Sequence, residues 1–172
     1  MALSSPVNAG LWRNRVLQAV EEMKQDLQTA FSLAVAETAR RTILRTPVGD
    51  PSMWASGGAY ALANGYKEGT LRANWQIQAM SPSTVFYNIQ DKSGEKTIGK
   101  AVAQALVPSN VYYLTNNTPY AARIEYDAYS SQASAGMLRI TLSEWQDVLN
   151  VAANTVRVGG SKKLSGSSVT VV

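Results

Sequence analysis

The sequence predicts an α+β fold: a long N-terminal helix and a C-terminal helix packed on a small, mostly antiparallel β-sheet. Three patterns carry that expectation. From Leu11 to Leu44, apolar residues at Trp12, Val16, Val20, Met23, Leu27, Ala30 and Ala34 step by three and four, which puts them on one helical face. From Leu71 to Met80 the chain alternates: Leu71, Ala73, Trp75, Ile77 and Ala79 on one side, Arg72, Asn74, Gln76 and Gln78 on the other. That is the period of a strand with one wet face. Beyond Gly136, the residues Leu138, Leu142, Trp145, Leu149 and Ala152 again step by three and four, predicting a helix over Met137–Val156.

The connecting elements follow in order. Asn8 or Ser5 is placed to cap the first helix, and Pro47 ends it by disfavouring a helical conformation at the residue before it. A helix of that length spans roughly 50 Å at 1.5 Å per residue, more than a small domain needs for its own core. Part of it is therefore expected to pack outside its own subunit. Glu37 precedes Arg40 and Arg41 by three and four positions and is expected to pair with them. Gly49 to Gly69 is a loop punctuated by glycine and proline, with a short helical turn around Ala59–Ala63. After the strand, Ser81-Pro82-Ser83 turns the chain, and Val85 and Tyr87 suggest a continuation or a second short strand. Lys96–Val107 predicts a helix with Ile98, Val102 and Leu106 on one face, and Val111–Leu114 a brief strand. Thr118 as cap and Pro119 in the first turn predict a helical turn over Tyr120–Tyr126. Residues 1–156 are thus expected to form a single domain. Residues 157–172, linker-like in glycine and serine, form a tail that is either disordered or, through Val169–Val172, a strand added to a neighbour's sheet.

Composition narrows the function classes. Of 172 residues only 16% are charged while 45% are hydrophobic; an ordinary domain carries about 25% charged residues. A weakly charged surface loses little solvation when a subunit covers it. Cysteine and histidine are both absent, which removes thiolate chemistry, the usual neutral-pH general base and the commonest metal ligand. The acids do not cluster: Glu125 and Asp127 are the only close pair outside the first helix, and no calcium-loop spacing or phosphate-binding glycine loop occurs. Neither an enzyme nor a cofactor is expected. The net charge of +4 allows contact with nucleic acid, but the Lys and Arg residues are scattered, with only Arg40-Arg41 and Lys162-Lys163 adjacent. The N-terminus lacks the pattern of a signal peptide, and no apolar run is long enough to span a bilayer. A cytoplasmic site of synthesis is expected.

An ordered set of motifs is more specific. Thr46-Pro47-Val48-Gly49 follows the long helix, and Gly69-Thr70-Leu71-Arg72-Ala73-Asn74-Trp75 stands at the strand entry. Then come Val111-Tyr112-Tyr113-Leu114-Thr115-Asn116-Asn117, Pro119-Tyr120-Ala121 with Ile124-Glu125-Tyr126, and Gly136-Met137-Leu138-Arg139. From Arg40 to Val156 this succession resembles the tail-completion and neck proteins of tailed bacteriophages, the group that includes the HK97 tail-component family and the lambda minor tail protein Z family. The chain departs from that pattern in an expanded loop over Gly49–Glu68, and in Asp127 and Ala128 where a glycine commonly follows. The resemblance implies a virion protein that completes the tail and joins it to the head. It would act as a homo-oligomeric ring, expected to be hexameric, around the DNA channel, touching the tail tube protein and the head connector without reading DNA sequence.

On physical grounds most motif residues are core or turn determinants: Pro47, Gly69, Leu71, Trp75, Pro119, Tyr120, Ile124, Leu138 and Trp145. Leu71 and Trp75 are expected on one strand face, with Arg72 and Asn74 pointing to solvent or a neighbour. Arg72, Glu125, Arg139, Lys162 and Lys163 are the candidates for contacts between subunits. Three alternatives stand beside the leading reading. They are a head-side connector or strict tail terminator, a basic nucleic-acid-binding module, and a carboxylate hydrolase using Glu125 and Asp127.

Overall fold

The computed structural model describes residues 9–53, 58, 59, 63 and 65–165, the side chains of 53 and 160–165 excepted. Helix α1 (Ala9–Arg45) is a single 37-residue helix, as the uninterrupted absence of glycine and proline between Gly10 and Pro47 allows. It divides in two. Residues 9–27 are exposed along their whole length, whereas Ala30, Ser32, Ala34, Ala36, Thr38, Ala39, Thr42 and Ile43 are buried. Small side chains let neighbours approach the buried half closely. Its hydroxyls stay satisfied there because Thr38, Thr42 and Thr46 each donate to the carbonyl four residues back, at 2.7–2.9 Å.

The expected strand from Leu71 is shorter than its alternation suggests. Gly69 takes φ 79°, and a helical turn, α2 (Thr70–Ala73), precedes strand β1 (Trp75–Ala79). Leu71 is buried from that turn and not from a strand face, and Asn74 is fully buried instead of pointing to solvent. The left-handed glycine is required sterically as well: a Cβ on Gly69 would lie 2.8 Å from the Lys92 backbone nitrogen. β1 pairs antiparallel with β2 (Tyr112–Asn116), from Trp75 opposite Asn116 to Ala79 opposite Tyr112. Two strands alone are marginal. Here they gain a face from helix α3 (Glu95–Ala105), which packs on β1 and α1. The segment around Val85 and Tyr87 forms no strand. Amide side chains replace the ladder: Asn74 exchanges two hydrogen bonds with the Tyr87 backbone at 2.7 and 2.8 Å, and Gln76 donates to the Val85 carbonyl at 2.7 Å.

Helix α3 starts where the Asp91 carboxylate accepts from the Gly94 and Thr97 backbone N–H groups and the Thr97 hydroxyl. It buries Thr97, Ala101 and Ala105, while Ile98 and Val102 pack at its flank and Leu106 is exposed past its end. Helix α4 (Ala121–Tyr126) follows the Pro119 turn as expected, but Thr118 contributes its backbone carbonyl and not its hydroxyl, which has no hydrogen-bond partner among the described residues. Ala128, just past the end of this helix, sits at φ 49°.

The predicted C-terminal helix is two helices, α5 (Leu138–Ser143) and α6 (Trp145–Ser165), with the break at Glu144. The carboxylate at the break is held by Arg41 at 2.7 Å and Arg45 at 2.6 Å. The break also changes which residues face inward: Val148 is 2% exposed, whereas Leu142 is 50% exposed. α6 runs through Gly159-Gly160 to Ser165, nine residues past the expected end, so the described part of the C-terminal tail is helical. It packs along α1, with Ala34 against Val148 and Ala152. The main core lies between α1, the sheet and α3, closed by Ile124 and Met137. The expected turn around Ala59–Ala63 falls in large part outside the described residues, as does Val169–Val172.

Candidate assembly surface

The motif residues converge, though mostly on the interior. Leu71, Trp75 and Ile124 are buried in the main core with Tyr120 and Leu138 packed against it. The Trp75 indole donates to the Thr46 hydroxyl at 2.7 Å. Trp145 belongs to the second cluster, under α6, and meets Phe31 edge-on at 6.3 Å between ring centroids. Pro47, Gly69, Leu71, Tyr120 and Ile124 also line one open cavity of about 820 Å³, with Tyr66, Arg123 and Tyr129 among the other residues around it. Burial, with Tyr66 nearby, pushes the Tyr120 phenol up to about 12. Pro119 stands exposed at the turn.

The proposed intersubunit residues have tasks within the chain. Arg72 donates to the Leu44, Thr46 and Lys92 carbonyls, so its guanidinium closes the C-terminal end of α1. Glu125 is 7% exposed, and its carboxylate accepts from the backbone N–H groups of Met137, Leu138 and Arg139 at 2.7, 3.0 and 2.9 Å. It therefore caps α5 from a different helix. Burial pushes that carboxyl up, but the three N–H donors, joined by Arg139, hold it below its ordinary value. Arg139 lies beside it, with Nε 3.4 Å from the carboxylate, and also donates to the Glu125 carbonyl. Lys162 and Lys163 fall on the last turn of α6, and their side chains lie outside the described residues.

The Glu37 pairing expected from spacing is present, at 2.7 Å to Arg40 and 2.8 Å to Arg41. Arg40 above all, and then Arg41, lower the Glu37 carboxyl to about 2 against the upward push of burial. Through Arg41 this pair continues to Glu144, so one charge network ties α1 to the start of α6.

The surface that stands out is elsewhere. On the exposed half of α1, Leu11, Trp12, Leu17, Met23 and Leu27 are 56–71% exposed, with Val16 and Val20 at 40% and 43%. Large apolar side chains ordinarily fill the core, and small ones tolerate exposure. Along α1 the buried positions are mostly small, alanine, serine and threonine with Ile43 the exception, while tryptophan, leucine and methionine of the first half lie outside. The apolar stripe then continues onto the body, where Val20, Met23, Leu27 and Ala30 face Ala153 and Val156 of α6 across an open groove of about 550 Å³. Among the described residues no group of His, Cys, Asp and Glu is arranged to hold a metal ion, and no helix is long and apolar enough to cross a membrane. No protein-family model, curated protein or solved structure matches the chain. The arrangement presents one extended helix with exposed large apolar side chains and an open groove beside it.

Proposed function

We propose that this chain is a structural subunit of the neck or tail end of a tailed phage. It completes the tail and joins it to the head as a homo-oligomeric ring, of six copies, around the DNA channel. It works by association alone: copies bind one another, the tail tube binds one face of the ring and the head connector the other. The observation that carries the assembly role is the exposed run of large apolar residues on α1 from Leu11 to Leu27, beside a second half whose buried positions are mostly alanine, serine and threonine, with Ile43. A stripe of that length on a monomer marks an interaction surface. The placement in a virion rests on the ordered motifs from Thr46-Pro47 to Gly136-Met137-Leu138-Arg139. Ring closure requires two different patches to meet around the axis.

Sedimentation velocity of the purified chain across a wide concentration range, alone and with tail tubes, tests the reading. A discrete closed species, visible as a ring by negative-stain microscopy, is the expected result. A chain that stays monomeric in both conditions overturns it. In a particle, a ring seated on the last tube ring marks a tail terminator, and one against the portal stack marks a head-side connector.

A further inference from the structure

We infer that the free edge of strand β2 pairs with the segment 84–88 of a second copy of this chain, continuing the sheet from one copy into the next. This rests on the self-association reading above and not on its placement in a virion. The ladder between β1 and β2 fixes which backbone groups are free. Met80 donates to the Val111 carbonyl at 3.2 Å, one step beyond the pair of Ala79 with Tyr112. Bonded and unbonded pairs alternate along an antiparallel ladder. Tyr113 and Thr115 therefore bond to β1, while Tyr112, Leu114 and Asn116 turn their N–H and C=O groups to the other side. Among the described residues nothing bonds those groups there.

The segment 84–88 has the same pattern without being a strand. Asn74 holds both backbone groups of Tyr87, at 2.7 and 2.8 Å, and Gln76 holds the Val85 carbonyl at 2.7 Å. Every second residue is thus bound from the β1 side, the period of an extended chain. The backbone groups of Thr84 and Phe86, in alternation with these, have no partner among the described residues. Residues 84–90 are all exposed, Val85, Phe86, Tyr87 and Ile89 by 41–46%.

Three observations select a second copy as the partner. The first is spacing. Unpaired groups recur every two residues on both stretches, and another extended chain is what satisfies such a row. An antiparallel register with Phe86 opposite Leu114 sets Thr84 opposite Asn116 and Asn88 opposite Tyr112, so every free position of β2 is used. The Asn88 carbonyl accepts from Lys67 at 3.1 Å and keeps a second lone pair. The second is the lack of any guard. Neither Val111–Asn117 nor Thr84–Gln90 contains a charged residue or a proline, the usual means of keeping exposed edges apart. The same register sets Tyr87 opposite Tyr113, 46% and 38% exposed, as an aromatic cross-strand pair. The third is placement. The segment is tied to β1, and the free edge of β2 is the one turned away from β1, so the two meet only between copies.

Each copy therefore offers one edge and one segment. If every segment joins the next copy's edge, the contact is heterologous and closes into a ring; if two copies exchange segments, it closes as a pair. The chain has no cysteine, so Tyr87→Cys and Tyr113→Cys each carry a single thiol at an exposed position. In the proposed register these two positions form an unbonded pair with Cα atoms about 4.5 Å apart, a span a disulfide accepts. Far-UV circular dichroism and melting temperature at low concentration check that each full-length variant keeps its fold. Mixed in equal amounts in a glutathione redox buffer, they are expected to give the mixed disulfide in at least about 10-fold excess over either like-with-like disulfide, since only the mixed pair has the required geometry. Phe86→Pro removes an N–H that has no partner at home and is expected to weaken association at least about 10-fold. Like-with-like disulfides as abundant as the mixed one overturn the inference, as does Phe86→Pro associating at unaltered strength. Self-association without the mixed disulfide overturns this pairing alone and leaves the assembly reading standing. A chain that stays monomeric at every concentration overturns both, and a mixed disulfide confined to closed pairs upholds the pairing while the ring reading fails.

Discussion

The Thr46 hydroxyl serves two bonds at once, donating to the Thr42 carbonyl at 2.7 Å and accepting from the Trp75 indole at 2.7 Å. Thr46 is fully buried and Trp75 is 6% exposed, so water cannot replace either partner. Thr46→Val keeps the shape and removes the acceptor, leaving the indole N–H unsatisfied. A loss of about 1–3 kcal/mol in unfolding free energy is expected from urea titration. Thr46→Ser, which keeps the oxygen, is expected to lose less than half of that. An equal loss in both variants would mean that the methyl group and not the hydrogen bond matters. At this scale the sequence was informative where backbone geometry dictates the residue. Pro47 and Gly69 were legible as stop and entry because few alternatives fit those backbones. Glu125 was not. Its role depends on Met137–Arg139 arriving beside it, which no local pattern around Glu125 encodes.

Among the elements, α5 depends on a borrowed cap. A six-residue helix has too few internal bonds to hold itself, and its first N–H groups are satisfied by Glu125 of α4. The folded-state carboxyl lies below its ordinary value of 4.5. Its contribution is therefore present above that value and is lost as pH falls through the lowered one. Stability measured from pH 6 downward is expected to decline below about pH 4.5, and Glu125→Ala is expected to cost about 1.5–3 kcal/mol at neutral pH while flattening part of that decline. An unaltered acid limb in the variant would assign the dependence to the other carboxylates held below their ordinary values, Glu37, Asp91 and Glu144 among them. Element type was legible for the long periodic segments, α1 and α6, because period and length agree. It failed at Leu71–Ala73, where alternation continued through a helical turn: the left-handed Gly69 starts that turn, and Asn74 is held inside by the Thr70 and Tyr87 carbonyls. The break at Glu144 was equally hidden, since it involves two arginines about a hundred residues earlier in the chain.

For the whole molecule, the overlong first helix was the legible feature, because length alone exceeds what one small core can use. The groove was not legible, since it needs α6 to continue through Gly159-Gly160 beside α1. The exposed half of α1 now has a measurable consequence. A helix of about this length is marginal in water without packing, and residues 9–27 are exposed throughout. Their protection must then come from association, which mass action makes concentration-dependent. Amide hydrogen exchange followed over a hundredfold range of protein concentration is expected to show residues 12–25 gaining protection as copies associate. Residues 30–43, buried at home against α3 and α6, are expected to stay equally slow throughout. Protection over 12–25 that is high and independent of concentration would mean the tip is stabilised within its own chain. The exposed apolar stripe would then have no subunit to bind, and the assembly reading would lose the observation it stands on.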